Sequence, residues 1–281
     1  MVKIGVQSLI NISKLKDKIN IFAIILCCLL AVVFDFFQIM YTKDEIAQRF
    51  LAELLPLTFG SIAVILLIKR SGVNVFGKAE NLLYLIPCMI IAVDNFPFYS
   101  YLQGNMQIIH SRAIDYLLFA AYCLLVGFFE ECIFRGLLFG IVAERFSNDK
   151  KGFIKTYVVS SVIFGAVHLL NLFSGANVGA TILQVGYSTL TGGLFAFAFI
   201  KTKNVLFAGL THSVYNFCGL LFSAEQGLGT GVVFDFPTGL IMAVVSVIVG
   251  SFVLYSVWKY SDEERQRLYK ALNVHRKEQG E

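Results

Sequence analysis

The chain has 281 residues, of which 57% are hydrophobic and only 15% are charged, and its formal net charge is +4. Soluble globular proteins carry about 25% charged residues, so this composition excludes an ordinary soluble domain and predicts a polytopic membrane protein in a lipid bilayer. The sequence contains no basic motif of the kind that recognises nucleic acid, and no nucleic-acid partner is expected.

Eight apolar segments reach the length of about 20 residues that a membrane-spanning helix needs. They cover residues 20–41, 49–68, 81–102, 115–144, 152–174, 180–200, 204–222 and 236–258. The first is interpreted as an uncleaved span, because its apolar region is long and no A-x-A-like cleavage site follows it. The third has the weakest pattern, since it contains Asp94 and Asn95. The fourth is longer than a perpendicular helix requires, which favours a tilted helix or one that extends into the cytosol.

These segments predict an all-α bundle of about eight transmembrane helices that encloses a polar cavity. No linker or low-complexity block interrupts the chain, so residues 1–281 are expected to form a single domain. The polar motifs of the chain lie in residues 115–222, and a charged tail covers residues 259–281. The tail is compatible with a short helix at the inner membrane surface or with a solvated, frayed segment.

The basic residues are distributed unequally between the two sides of the predicted membrane. With eight spans, nineteen of the 23 Lys and Arg residues fall on the side that contains both termini, and three fall on the other side. Basic residues accumulate in cytoplasmic loops. The sequence therefore predicts a multi-pass protein of the cell membrane with both termini in the cytoplasm.

Three charged residues, Glu130, Glu131 and Arg135, lie inside the fourth apolar segment. A charged residue at the centre of a membrane helix costs roughly 2.5–3.5 kcal/mol on insertion scales, so such residues are functional candidates. In an α-helix, Glu131 and Arg135 share one face, whereas Glu130 points away from Arg135. We expect Glu131 and Arg135 to pair, and Glu130 to face the polar cavity as a general base would. A purely structural Glu–Arg clamp would explain the pair but not Glu130.

Two other segments contribute polar residues at a similar predicted depth. His168 lies in the fifth segment, and His212 and Asn216 lie four residues apart in the seventh, on one helical face. Counted at 1.5 Å per residue from the cytoplasmic helix ends, Glu130 and His168 lie roughly 22–24 Å deep, and the other two roughly 14–20 Å deep. We expect the four side chains to converge. The small residues of segment 186–193 are expected to let helices approach closely, mainly for packing.

A carboxylate with two histidines and an asparagine supports two mechanisms. Glu130 and a histidine can activate water for hydrolysis of an amide, while His212 and Asn216 donate hydrogen bonds to the developing oxyanion. Alternatively, Glu130, His168 and His212 can hold one divalent metal, such as zinc, with an open position for water. The HExxH motif of ordinary zinc proteases is absent. The residues alone do not decide between a metal and no cofactor.

Three motifs occur in order, each in its own predicted membrane helix: Glu130-Glu131-x-x-x-Arg135, Phe164-x-x-x-His168 and His212-x-x-x-Asn216. This arrangement resembles the CPBP family of intramembrane proteases, which includes the CAAX-prenyl-protease 2-like and the Abi, or bacteriocin-processing, members. The resemblance covers residues 130–216. It implies a helix bundle around a water-filled cavity and endopeptidase activity on a membrane-associated peptide or protein.

The resemblance also implies a catalytic role for six residues. Glu130 would be the water-activating base assisted by His168, Glu131 and Arg135 would orient the first motif, and His212 and Asn216 would stabilise the oxyanion. The family has been described both as metalloproteases and as metal-free glutamate proteases. Some members cleave prenylated CAAX proteins, whereas many bacterial members are associated with bacteriocin maturation or self-immunity.

Two other classes of function compete with a protease. A non-catalytic bacteriocin self-immunity or scaffold protein would keep the fold and bind a peptide or a partner. A proton- or ion-coupled transporter would use the ionisable residues as a relay. A transporter more often contains Gly- or Pro-broken helices in paired positions, and none of the four prolines lies near the charged cluster.

Overall fold

The computed structural model describes residues 25–27, 29–30, 43–147, 149–231 and 235–273. The first predicted span, 20–41, therefore lies largely outside the described residues, as does the end of the tail. The named helices are α1 (Glu45–Ser71), α2 (Leu85–Asp94), α3 (Phe98–Leu102), α4 (Ala113–Glu131), α5 (Phe139–Arg145), α6 (Lys150–Ala166), α7 (Val178–Thr202), α8 (Val205–Leu220), α9 (Phe236–Trp258) and α10 (Asp262–Ala271). A π-helical segment, Cys132–Leu138, joins α4 to α5, and 3₁₀ segments cover Leu82–Tyr84 and Val167–Ser174.

Five helical segments in the described part of the chain are long and apolar enough to cross a membrane. They are Glu45–Ser71, Ala113–Arg145, Lys150–Phe173, Val178–Thr202 and Phe236–Trp258. The predicted all-α membrane bundle is confirmed, but the count of eight spans is not. The third and seventh predicted segments correspond to shorter apolar helices, Leu82–Asp94 and Val205–Leu220.

The third predicted segment is interrupted after Asp94. Helix α2 ends there and α3 begins only at Phe98, directly after Pro97. Proline has no backbone N–H and disfavours helical geometry at the residue before it, which favours a helix end ahead of Pro97. The polar residues that weakened the pattern in the sequence thus mark a real break.

Short polar side chains begin most of the described helices. The carboxylate or amide oxygens of five N-cap residues accept hydrogen bonds from backbone amides two or three positions ahead: Asp44 (3.0 Å), Asp149 (2.7 Å), Asn177 (3.1 Å), Asn204 (2.8 Å) and Asp235 (2.8 Å). Such caps satisfy amides that have no partner inside the helix. They set where each apolar segment begins.

The second half of α7 lies at the centre of the bundle, and every residue from Gly192 to Thr202 is buried. Glycines allow neighbouring helices to approach closely around it. A Cβ on Gly165 of α6 would lie 2.7 Å from the carbonyl oxygen of Val185 in α7. A Cβ on Gly127 of α4 would lie 2.7 Å from the amide nitrogen of Ser213 in α8. Both crossings therefore depend on the absence of a side chain.

Several basic loops meet at one end of the bundle, which we call the basic end (residues 69–80, 145–155, 201–204 and 258–273). The amide of Glu80 donates to the carbonyl of Thr202 (3.0 Å), and the amide of Asn74 donates to the carbonyl of Leu272 (3.0 Å). The ring of Phe153 stacks on Tyr260, with 5.0 Å between their centroids. These loops are the ones that the sequence placed on the side of the termini.

The opposite end carries the two short strands of the described chain. Strands β1 (Met106–Ile108) and β2 (Gly229–Gly231) pair antiparallel, with Gln107 opposite Thr230. The hydroxyl of Ser100 donates to the carboxylate of Asp235 at 2.6 Å. Because Glu80 lies at the basic end and Ser100 at this end, the interrupted third segment still connects the two ends of the bundle.

The tail forms a helix over Asp262–Ala271, which was one of the two interpretations of the sequence. A capping box between Ser261 and Glu264 begins this helix. Leu268, Tyr269 and Leu272 are buried against the basic end. The apolar side chains of the tail therefore pack on the protein.

The α4–α8 crossing can be tested with Gly127→Ala. The added methyl group would collide with Ser213, so we expect the free energy of unfolding to fall by about 1–3 kcal/mol, as overpacking does elsewhere. Gly186→Ala is the matched control, because nothing lies within 4 Å of a Cβ at that helical position. Thermal unfolding in detergent measures both variants, and equal melting temperatures would contradict the close crossing.

Candidate active site

The first motif lies where the helical geometry changes. Glu130 and Glu131 are the last two residues of α4, and Arg135 lies in the π-helical segment that follows. The predicted angles between these side chains require an unbroken α-helix, but the α-helical geometry ends at Cys132. Short π-helical segments occur frequently at functional sites, because they change the direction of side chains without ending the helix.

Arg135 and Glu131 form a buried ion pair. The Nη1 atom of Arg135 lies 2.8 Å from Oε1 of Glu131, and the two side chains are 1% and 0% exposed. Arg135 also donates to the carbonyl of Gly192 in α7, and its guanidinium lies 4.8 Å from the centre of the Phe164 ring. The pairing predicted from the four-residue spacing is confirmed. A buried charge needs this many partners to offset its lost hydration.

His212 lies between the two glutamates. Its Nδ1 atom is 3.1 Å from Oε1 of Glu131, and its Nε2 atom is 4.0 Å from Oε2 of Glu130. A carboxylate that is paired with a guanidinium only accepts hydrogen bonds, so we assign the Nδ1 proton to the bond with Glu131. The imidazole also stacks on Phe195, with 4.4 Å between ring centroids. These contacts hold the ring so that only Nε2 faces Glu130.

The two neighbouring glutamates have different environments. The side chain of Glu131 is completely buried, whereas that of Glu130 is 30% exposed. The buried carboxylate of Glu131 contacts Arg135 and His212. The partly exposed carboxylate of Glu130 is accessible to water or to a substrate. This is the asymmetry that the sequence predicted for Glu130 and Glu131.

His168 and Asn216 complete the set of candidate residues. His168 lies in the 3₁₀ segment after α6, and its Nδ1 is 3.2 Å from the carbonyl oxygen of Phe164. The Phe164 ring lies edge-on to His168 and to His212, at 5.8 Å from each. Asn216 is partly buried one turn beyond His212 on α8. The structure thus connects His168 and His212 through a shared aromatic neighbour.

The geometry does not fit the metal set that the sequence left open. Among the residues that the structure describes, no group of three His, Cys, Asp or Glu side chains could hold a metal ion. Nδ1 of His212 is engaged by Glu131, and Nδ1 of His168 lies against a backbone carbonyl. Glu130, His168 and His212 are therefore not arranged as a shared ligand set in this conformation.

Two residues of α7 support the site and were not singled out in the sequence. Phe195 stacks on His212, and its ring centre lies 5.9 Å from the guanidinium of Arg135. Gly192 supplies a carbonyl oxygen to Arg135, and a Cβ on it would lie 2.8 Å from the Phe164 ring. Gly192 belongs to the small-residue segment 186–193, but no pattern distinguishes Phe195 among the 27 phenylalanines.

The fold and the site define a membrane-embedded helical protein with a cluster of ionisable side chains in its interior. Residues 112–218 match the family model described as Type II CAAX prenyl endopeptidase Rce1-like. The match spans all six candidate residues and confirms the resemblance to the CPBP proteases. No curated protein and no solved structure matches the chain.

The ion pair can be tested by breaking it in two ways. Arg135→Met leaves the carboxylate of Glu131 buried with one partner fewer, so the free energy of unfolding should fall by about 3–5 kcal/mol. The double variant Glu131→Leu with Arg135→Met removes both charges and should recover much of this loss. Chemical denaturation in detergent compares the two. A double variant as unstable as the single one would show that the pair does not act as a unit.

Proposed function

We propose that the chain is an intramembrane endopeptidase that hydrolyses a peptide bond of a membrane-associated peptide or protein. The observation that carries the proposal is the difference between two adjacent carboxylates, one buried in an ion pair and one 30% exposed, with His212 between them. The Rce1-like match supports the class of reaction. The polar cavity around Glu130 remains a prediction, which the partial exposure of its side chain supports.

Glu130 is the general base of the proposed reaction. Its carboxylate accepts a proton from a water molecule while the water oxygen attacks the carbonyl carbon of the scissile peptide bond. The tetrahedral intermediate collapses when the C–N bond breaks, and the proton held by Glu130 passes to the leaving amine. His168 assists by orienting the water through Nε2, because its Nδ1 is directed at the carbonyl of Phe164.

His212 and Asn216 stabilise the negative oxygen of the tetrahedral intermediate. Because Nδ1 of His212 donates to Glu131, Nε2 can donate to the oxyanion only when the ring is an imidazolium. The buried carboxylate of Glu131 holds Nδ1 and so orients the ring, as the acid of a catalytic triad does. The side-chain amide of Asn216 is the second donor. Glu131 and Arg135 are therefore positioning residues in this mechanism.

We also propose that the protein is a multi-pass protein of the cell membrane with the basic end in the cytoplasm. The loops with most Lys and Arg residues meet at this end, and such loops are retained on the cytoplasmic side of bacterial and other membranes. The substrate class is a membrane-associated peptide, with CAAX-type and bacteriocin-type peptides as the candidates from the family. Comparison of membrane-associated peptides in cells with the wild type and with an inactive variant would identify it.

Glu130→Gln tests the catalytic base. The amide keeps the size of the side chain but cannot take a proton from water, so peptide cleavage should fall by about 10²–10⁴-fold. The melting temperature should stay near that of the wild type, because Glu130 is not part of the buried pair. Glu144→Gln, an exposed site in α5, is the matched control and should keep full activity.

The same variant separates catalysis from self-immunity. If cells that express Glu130→Gln keep full protection against a bacteriocin, the protection depends on binding and not on catalysis. Full cleavage activity in this variant would overturn the assignment of Glu130 as the base.

Asn216→Ala tests the oxyanion site. Removal of one oxyanion donor costs about 10²–10³-fold in kcat in comparable hydrolases, with little change in KM. Steady-state kinetics on a fluorogenic peptide measures both constants. Asn105→Ala, an exposed loop position, provides the same substitution outside the site. A loss confined to KM would indicate that Asn216 binds the substrate instead.

The cofactor requires a separate measurement. The proposed mechanism predicts that the purified protein retains its activity after treatment with a chelator and contains no stoichiometric divalent metal by elemental analysis. Loss of activity with the chelator and recovery with zinc would indicate that Glu130 is a metal ligand and not the general base.

A further inference from the structure

A cavity of about 540 Å³ lies at the basic end of the bundle and is not part of the candidate active site. It is lined by Lys150, Lys151, Ile154, Lys155 and Trp258. His168 follows Lys150 by 18 residues along the same helical segment, which places the cavity roughly 25 Å from the active-site histidine. The proposed proteolysis makes no use of it.

The cavity lies where two apolar segments end on the same side. Lys150 begins the candidate span Lys150–Phe173, and Trp258 ends the candidate span Phe236–Trp258. The stacked rings of Phe153 and Tyr260 hold these two helix ends together. The ends of spanning helices lie at the level of the lipid headgroups, where tryptophan is enriched. The cavity therefore opens at the membrane–water interface.

The walls combine positive charge with apolar surface. The ammonium group of Lys150 lies 4.0 Å from the centre of the Trp258 ring, and that of Lys259 lies 5.1 Å from it. Ile154 provides an aliphatic wall one turn after Lys150 on α6. This arrangement offers cations to an anionic group and an apolar surface to a hydrocarbon chain attached to that group.

The lysines keep their charge available. None of the salt bridges found between described residues involves Lys150, Lys151 or Lys155. The neighbouring acid, Asp149, accepts hydrogen bonds from the Ser147 hydroxyl (2.5 Å) and from the Gly152 amide (2.7 Å). These bonds, with a smaller contribution from Lys151, lower the pKa of Asp149. Its carboxylate is thus committed to capping α6.

We propose that this cavity binds the headgroup of an anionic phospholipid. The lysine ammonium groups contact the lipid phosphate, and the upper part of an acyl chain lies against Ile154 and Trp258. Position at the interface and the apolar wall favour a lipid over free phosphate, since basic pockets at the cytoplasmic ends of membrane helices recognise anionic headgroups.

Trp258 is the only tryptophan in the chain, so its fluorescence reports on this cavity alone. The full chain is placed in phosphatidylcholine nanodiscs that contain a fixed fraction of brominated phosphatidylglycerol or, in the parallel sample, brominated phosphatidylcholine. Bromine quenches a nearby indole. A selective site should give about twofold more quenching by the brominated anionic lipid, because that lipid is concentrated beside the lysines.

Variants then test whether the lysines of the cavity cause the preference. Lys150→Gln with Lys155→Gln should reduce quenching by the anionic lipid to the level of the neutral lipid, and the corresponding Arg variant should retain the preference. Lys69→Gln with Lys78→Gln removes the same charge elsewhere at the basic end and is the matched control. If the Gln double variant does not fold, the exposed single variant Lys151→Gln replaces it.

Three results would overturn the proposal. Equal quenching by the two brominated lipids in the wild type would show that there is no selective site. An equal loss of preference in the Lys69 and Lys78 control would assign it to the general charge of this end. Displacement of the anionic lipid by excess inorganic phosphate would assign the cavity to a soluble phosphate group.

Discussion

The buried contact between Arg135 and Glu131 is the interaction on which the rest of the site depends. Neither charge is stable alone in the interior of a membrane protein. Arg135 meets this need by also binding the Gly192 carbonyl, and Glu131 by also accepting from His212. The Arg135 contact joins the π-helical segment to α7, and the Glu131 contact joins α4 to α8. The contacts that stabilise the buried charges therefore also fix the position of His212.

Departures from α-helical geometry coincide with two of the three motifs. The π-helical segment begins directly after Glu131, and the 3₁₀ segment begins directly before His168. Both changes redirect side chains while the helices continue. Around them the packing is close, because Gly165 and Gly192 leave no Cβ between α6 and α7. Rigid support of this kind suits the proposed hydrolysis, since the proposed base and oxyanion donors must hold their positions as charge develops.

The basic end of the bundle lies apart from the candidate active site at its centre. Loops 69–80 and 201–204 pack together with α10 at the basic end, which closes the bundle around α7. The cationic cavity beside Trp258 lies at this same end. An anionic lipid held there would contact α6 and α9, and α6 leads directly to His168. The lipid environment and the candidate active site are thus linked through one helix.

The composition by itself predicted that the protein resides in a lipid bilayer, and the four-residue spacing by itself predicted the Glu131–Arg135 pair. Both are local properties: apolar length decides residence in lipid, and residues four apart on a helix remain neighbours even when the helix changes to π geometry. The break at Pro97 also left a signal in the sequence, although eight continuous spans were expected. Only the tertiary structure decided that His212 is held by Glu131, 81 residues away, and that Gly192, 57 residues away, accepts from Arg135. These contacts depend on how closely three helices approach one another, and no periodicity within a single helix records that distance.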